Sequence, residues 1–301
     1  MATSSLAKIK ITLLFLISSF LLINSQLTYI HQECYDRFGK YNILSNFGNN
    51  IDNAITELAS RASTTYFSNY TSGIGEDQVN AFYSCRYDVP LSVCQSCVAS
   101  VANNVSSCFS SVESLIVYEE CTFHYSNRSI FSVMEELPRL YHYSPYDTEQ
   151  GQFSVAMEGL VTLLINNVTT EFLASSRYFA MTTARFSSRE SIYALAQCNP
   201  DITSFDCRTC LQSGFYNFAN NHTGALPVYG QIFLQSCRLS YILTSEVLSR
   251  PWRFARTFLQ DTPTRFTPGF SFPSTGTRGS STIGAMIASI FSVALSWKLL
   301  L

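Results

Sequence analysis

Three cysteines stand close together in CRYDVPLSVCQSC, from Cys85 to Cys97. The same C-x8-C-x2-C frame returns in CNPDITSFDCRTC as Cys198, Cys207 and Cys210, each 113 residues further on. Tyr66-Phe67 precedes the first triplet and Tyr178-Phe179 the second, while Cys121 in VYEECTFHY is echoed by Cys237 in FLQSCRLSY. Self-similarity at one offset means two copies of one unit. Their boundary falls near LPRLYHYSP, residues 137–145, which has a proline at each end.

What ten cysteines do depends on the compartment. The chain opens MATSSLAKIKITLLFLISSFLLINSQ, with Lys8 and Lys10 ahead of an apolar run from Ile11 to about Ile23 and the small Ser25 after it. That is the layout of a secretory signal peptide, residues 1–25, and the apolar core is short for a membrane anchor. Five N-x-[ST] sequons, at Asn69, Asn104, Asn127, Asn167 and Asn221, fit export and mark candidate glycosylation sites. An exported chain meets an oxidising environment, so an even number of cysteines is expected to pair. A four-cysteine zinc site would need two C-x2-C pairs that lie in separate copies, and a thioredoxin-like pair needs a different context. No metal and no cofactor is expected.

The other end is apolar as well. IGAMIASIFSVALSWKLLL, residues 283–301, follows a Pro/Ser/Thr/Gly linker at 262–282. Small residues, a polar spacer and a terminal hydrophobic tail form the layout of a GPI-attachment signal, with Ser274 as the attachment residue. A transmembrane anchor is the alternative. Between the two ends lie roughly 250 residues, enough for two ordinary domains. The formal charge of −2 leaves no nucleic-acid footprint.

Each copy repeats one coarse order. A helical period comes first, in Ile51, Ile55 and Leu58 and again in Met157, Leu160, Val161 and Leu164. The Tyr-Phe segment reads as a strand. The triplet then opens a second helix, with Cys94, Cys97, Val98, Val101, Val105 and Cys108 on one face. Leu115, Val117, Cys121, Phe123 and Tyr125 alternate and are expected to share one side of a strand. The predicted class is α+β: two tandem small disulfide-stapled domains, each an antiparallel sheet packed by two helices.

The first copy holds six cysteines and the second four. Asn221 stands where Cys108 would recur, and no cysteine matches Cys34. Two cysteines absent together suggest that Cys34 and Cys108 are partners, closing a loop of about 75 residues worth roughly 4 kcal/mol in the chain-entropy model. If the sequon at Asn221 is used, the place of the lost bridge faces solvent. The spacing leaves the other pairings open.

The repeated frame, with YEECTFHYSNRSIF after the first triplet, resembles the plant ginkbilobin-homologous domain. This is the cysteine-rich stress-antifungal domain of cysteine-rich receptor-like kinases, cysteine-rich repeat secretory proteins and plasmodesmata-located proteins. The resemblance spans residues 27–131 and 146–246. It implies two helices on an antiparallel sheet, and the pairs Cys34–Cys108, Cys85–Cys94, Cys97–Cys121, Cys198–Cys207 and Cys210–Cys237. One branch of the family binds mannose through an Asn, an Arg and a Glu. Tyr35, Leu115 and Ser126 hold those positions here, and Gln231 and Ile242 hold the latter two in the second copy. Leu115 offers a sugar hydroxyl nothing to bond, so mannose binding is not carried over.

The histidines His31, His124, His142 and His222 lack metal-type spacing, and His124 reads as a surface or satisfied histidine. Glu119 and Glu120, neighbours in a strand, read as a solvated edge rather than an acid pair. Arg250, Arg253 and Arg256 around Trp252 read as a solvated helix end, with contact to anionic headgroups as the alternative. No nucleophile–base pair stands out, so no enzyme is expected. The expected role is a membrane-tethered apoplastic interaction module in plant cell-surface or plasmodesmal communication and in stress or defence signalling. Its partners would be cell-surface proteins or cell-wall glycans. A mannose-binding antifungal protein is the alternative.

Overall fold

Helix α1 (Asn46–Arg61) begins where the Ser45 side chain accepts a bond from the Gly48 amide, as short hydroxyl caps do. It buries Phe47, Ile51, Ala54, Ile55 and Leu58 on one face. In the second copy helix α4 (Gln152–Thr169) buries Phe153, Met157, Leu160, Val161 and Leu164 in the same manner. The computed structural model describes residues 27–42, 44–105, 111–148, 151–170, 178–222 and 225–245, all within one compact unit. The leader at 1–25, Cys108, the linker at 262–282, Ser274, the basic stretch around Trp252 and the apolar segment at 283–301 lie outside the described residues.

The first copy runs β1 (Tyr29–Cys34), α1, β2 (Phe67–Ser72), β3 (Val79–Cys85), α2 (Leu91–Ser100), the short α3 (Ala102–Val105), β4 (Glu113–Tyr118) and β5 (Cys121–Ser126). The second runs β6 (Leu140–Tyr143), α4, β7 (Phe179–Arg185), β8 (Glu190–Cys198), α5 (Ser204–Asn221), β9 (Tyr229–Phe233) and β10 (Cys237–Ser245). Each copy makes a five-stranded sheet, in the orders β1-β4-β5-β3-β2 and β6-β9-β10-β8-β7, and all its pairings are antiparallel. The α+β class and the two copies stand as expected.

Three details differ from the sequence reading. Strand β6 pairs with β9, so the second sheet starts at Leu140, inside the boundary segment and ahead of residue 146. The helix that follows the first triplet ends at Ser100, with Val101 as its cap before α3. The alternation from Leu115 to Tyr125 is two strands joined by a turn at Glu119-Glu120. Ile116 pairs with Phe123 and Leu115 with His124. A two-residue turn sets even positions opposite odd ones, so the side shared along one strand changes parity in the next. Ile116, Phe123 and Tyr125 face the helices, whereas Leu115 and Val117 face away.

Cystines tie helix to sheet in both copies: Cys85–Cys94 and Cys97–Cys121, then Cys198–Cys207 and Cys210–Cys237. These are the pairs that the resemblance implies. Cys34 is disulfide-bonded too. With their thiols joined, the C-x2-C pairs have no thiolates to offer a zinc ion.

Candidate functional site

A sheet with helices on one side has a second face that water normally wets. Here the far face of the first sheet carries an apolar patch. Leu115 is 1% exposed and Val117 0%, clustered with Tyr35 and, from the second copy, Phe233. Burying an aliphatic side chain of this size is worth about 1.5–3 kcal/mol, so the copies hold each other through this seam. Gln235 Nε2 donates to the Tyr35 hydroxyl at 2.5 Å. Burial pushes that hydroxyl's pKa far up.

Polar groups continue the seam. Gln197, on β8, is buried. Its Nε2 donates to the Cys85 carbonyl at 2.7 Å, and its Oε1 accepts from the Tyr87 amide at 3.2 Å. Tyr87 packs on Phe179, with ring centroids 5.7 Å apart. Arg238 Nη1 donates to the Glu119 carbonyl at 2.9 Å, and its guanidinium lies over the Phe233 ring. Arg86 pairs with Asp88 at 2.5 Å and with Glu119 at 3.2 Å. Burial, with Arg86 nearby, lowers the Arg238 pKa to about 9.

This overturns the reading of Glu119 and Glu120 as a solvated edge. Glu120 is 5% exposed and accepts from the Thr28 amide at 3.0 Å. Burial, aided by Glu119, pushes its carboxyl pKa up. The turn that carries the two residues points into the seam instead of into water.

A second charged cluster lies on the far face of the first sheet. Glu113 is fully buried. It receives Arg128 in a fork, Nε on Oε2 at 2.8 Å and Nη2 on Oε1 at 2.7 Å. Ser126 Oγ donates to Oε2 at 2.7 Å, and His124 Nε2 lies 3.2 Å from Oε1. Burial alone would raise the Glu113 pKa, but bonds from His124, Arg128 and Ser126 outweigh it and hold the group at about 2. Arg128 also pairs with Glu135 at 2.6 Å, fastening the linker between the copies.

The positions of the sugar triplet fall into this architecture. Tyr35 is 7% exposed, Leu115 1% and Ser126 0%. Their counterparts Gln231 and Ile242 are buried as well. Tyr35 and Leu115 lie in the seam and Ser126 in the Glu113 cluster. The four histidines are not gathered: His31 meets Glu33, His124 meets Glu113, His142 meets Gln231 and His222 meets the Phe218 carbonyl.

The sequons spread widely. Asn69 lies on strand β2, Asn127 is exposed just after β5, and Asn221 is exposed at the end of α5. Asn104 Nδ2 donates to the Tyr118 hydroxyl at 2.5 Å, and Asn167 is half-buried in the last turn of α4. Sequence reasoning missed Glu113, Arg128, Gln197 and Arg238. A signal was present: ESLIVY is apolar at successive positions, and a strand buried on both faces reads that way.

The chain matches the family described as "Salt stress response/antifungal" twice, over residues 33–128 and 142–244. Cysteine-rich repeat secretory protein 1 of Arabidopsis thaliana is 33% identical over 239 residues, covering 77% of this chain and 68% of that protein. Cysteine-rich receptor-like protein kinase 26 of Arabidopsis thaliana is 31% identical, covering 81% of this chain and 36% of the kinase. The chain thus spans about a third of that kinase's length. Among solved structures, the tandem DUF26 ectodomain of the Arabidopsis thaliana cysteine-rich receptor-like protein PDLP8 superposes with a TM-score of 0.59 at 19% identity, covering 71% of this chain and 98% of that one. The corresponding ectodomain of PDLP5 gives 0.55 at 19% identity, covering 72% and 100%. At that identity the likeness concerns the fold.

Proposed function

We propose, for a chain that belongs to the salt stress response/antifungal family, an exported, non-enzymatic interaction module that works outside the plant cell in surface signalling or defence. The observation that carries this reading is the seam. Two cystine-stapled copies lock face to face through Leu115, Val117, Tyr35 and Phe233. What remains outward is a rigid double surface of helix layers and sheet edges. Rigid surfaces lose little entropy on binding, which suits recognition of other macromolecules.

The relatives named as secretory proteins and as receptor-like kinases support export and a surface role. The C-terminal apolar segment at 283–301 supports tethering to the membrane, by a GPI anchor at Ser274 in preference to a transmembrane helix. Partners are cell-surface proteins or cell-wall glycans, and plasmodesmata are one location where such a module would act.

Mannose recognition is disfavoured because Tyr35, Leu115 and Ser126 lie under the seam or in the Glu113 cluster. A glycan array probed with the exported protein tests the point. No mannose-specific signal is expected, and saturable binding to mannosides would overturn the reading. Loss of the protein from membranes on treatment with phosphatidylinositol-specific phospholipase C is expected for the anchor. Retention would instead support a transmembrane helix.

A further inference from the structure

Open sheet edges invite pairing with other chains, and natural proteins guard them. Strands β2 and β7 are the corresponding edges of the two sheets, each pairing on one side alone. In the first copy the edge is guarded from helix α1. Arg61 Nη1 donates to the Asn69 carbonyl at 3.1 Å and to Ser68 Oγ at 3.4 Å, and the guanidinium lies over the Tyr70 ring. Glu57 holds Arg61 in place, with Nε on Oε1 at 2.9 Å. Asn69, in the middle of this strand, is itself the asparagine of a sequon.

The second copy lacks that guard. Matching the buried positions Ile51, Ile55 and Leu58 of α1 to Met157, Val161 and Leu164 of α4 puts Leu163 in the place of Glu57 and Asn167 in the place of Arg61. Strand β7, FAMTTAR, has seven residues, no proline and no glycine. Among the described residues no side chain bonds its outward main chain. The Asn167 carboxamide has no hydrogen-bond partner there either, and it sits on the flank of α4 that corresponds to the edge-facing flank of α1. Asn167-Val168-Thr169 is a sequon.

We infer that Asn167 carries an N-linked glycan that shields the β7 edge, taking over in the second copy the guarding that Arg61 performs in the first. The inference rests on the reading that the chain is exported. Nδ2 of Asn167 forms a bond to the anomeric carbon of a polyprenyl-diphosphate-linked oligosaccharide. The bond from that carbon to the diphosphate oxygen breaks, the diphosphate leaves with the electron pair, and Nδ2 gives up one proton. The cell's oligosaccharide transferase performs the step on the unfolded chain, before Thr169 is engaged by Arg208.

The test uses the full chain expressed in plant cells and solubilised in mild detergent. Peptide mass spectrometry, after enzymatic removal of glycans in heavy-oxygen water, is expected to mark Asn167. In sedimentation, N167Q is expected to shift towards dimer with rising concentration. N167R, which restores the arginine of the first copy, is expected to return the protein to monomer. Glycan at Asn127 with none at Asn167 would overturn the inference and leave export standing. Absence of glycan at every sequon would overturn export and the inference together. An N167Q protein that stays monomeric across the wild-type range would overturn the shielding role.

Discussion

The two copies share a topology but differ at the end of their first strand. In the first copy Cys34, paired in register with Ser114, sits in a cystine. In the second copy Tyr143 occupies that register, opposite Gly230. Its ring meets His222 at 4.7 Å and Phe218 at 6.0 Å. An aromatic contact to α5 thus occupies, on the second copy's first strand, the register that Cys34 and its cystine occupy on the first. The difference teaches that one position of this fold can carry a cystine in one copy and an aromatic contact in the other. The second copy, closed there by packing alone, is expected to depend more on the seam.

The largest expected effect comes from breaking the covalent side. Cys34→Ser should cost about 4 kcal/mol in the chain-entropy model, read as a lower urea midpoint. Thiol labelling should find Cys108 newly reactive, and reactivity at a different cysteine would refute that pairing. Next is the Glu113 cluster, which has Tyr229 as its counterpart in the second copy. Glu113→Gln should cost about 3 kcal/mol, the scale for unpairing a buried charge. The same cluster sets an acid limit. Its folded pKa of about 2 lies below the ordinary 4.5. Its stabilisation is therefore present above pH 4.5 and is lost as pH falls from there towards 2. Melting temperature measured across that window should fall less steeply in Glu113→Gln than in the wild type.

Gln197→Ala removes its bonds to the Cys85 carbonyl, the Ser84 hydroxyl and the Tyr87 amide. A loss of about 2 kcal/mol is expected. If the seam is what supports the second copy, unfolding should separate into two transitions, the second copy first; a single unchanged transition would deny the seam that role. The smallest effect is expected from Tyr143→Ala, about 1 kcal/mol for an exposed aromatic contact. A cost equal to that of Cys34→Ser would erase the distinction drawn between the copies.

Much of the fold was legible in the residues. The helical faces of α1 and α4 followed from Ile51, Ile55 and Leu58 and from Met157, Leu160 and Leu164, because periodicity is local. The parity of Leu115 and Val117 was not legible, because one short turn at Glu119-Glu120 reverses the side they face. The candidate site was less legible still. The burial of Tyr35 and Leu115 was not legible, since nothing near them in the chain says that Phe233 and Gln235 will pack against them.

The cysteine frame determined that there are two copies and which family they belong to, and with the leader ahead of it that each is a small cystine-stapled unit. Those properties rest on spacing and on chemistry that survive in an unfolded chain. Only the tertiary structure decided that Leu115 and Val117 of the first sheet meet Phe233 of the second, that Glu120 is buried, and that β7 ends its sheet as an edge strand. Each of these joins residues far apart in sequence, and only packing brings them within reach of one another.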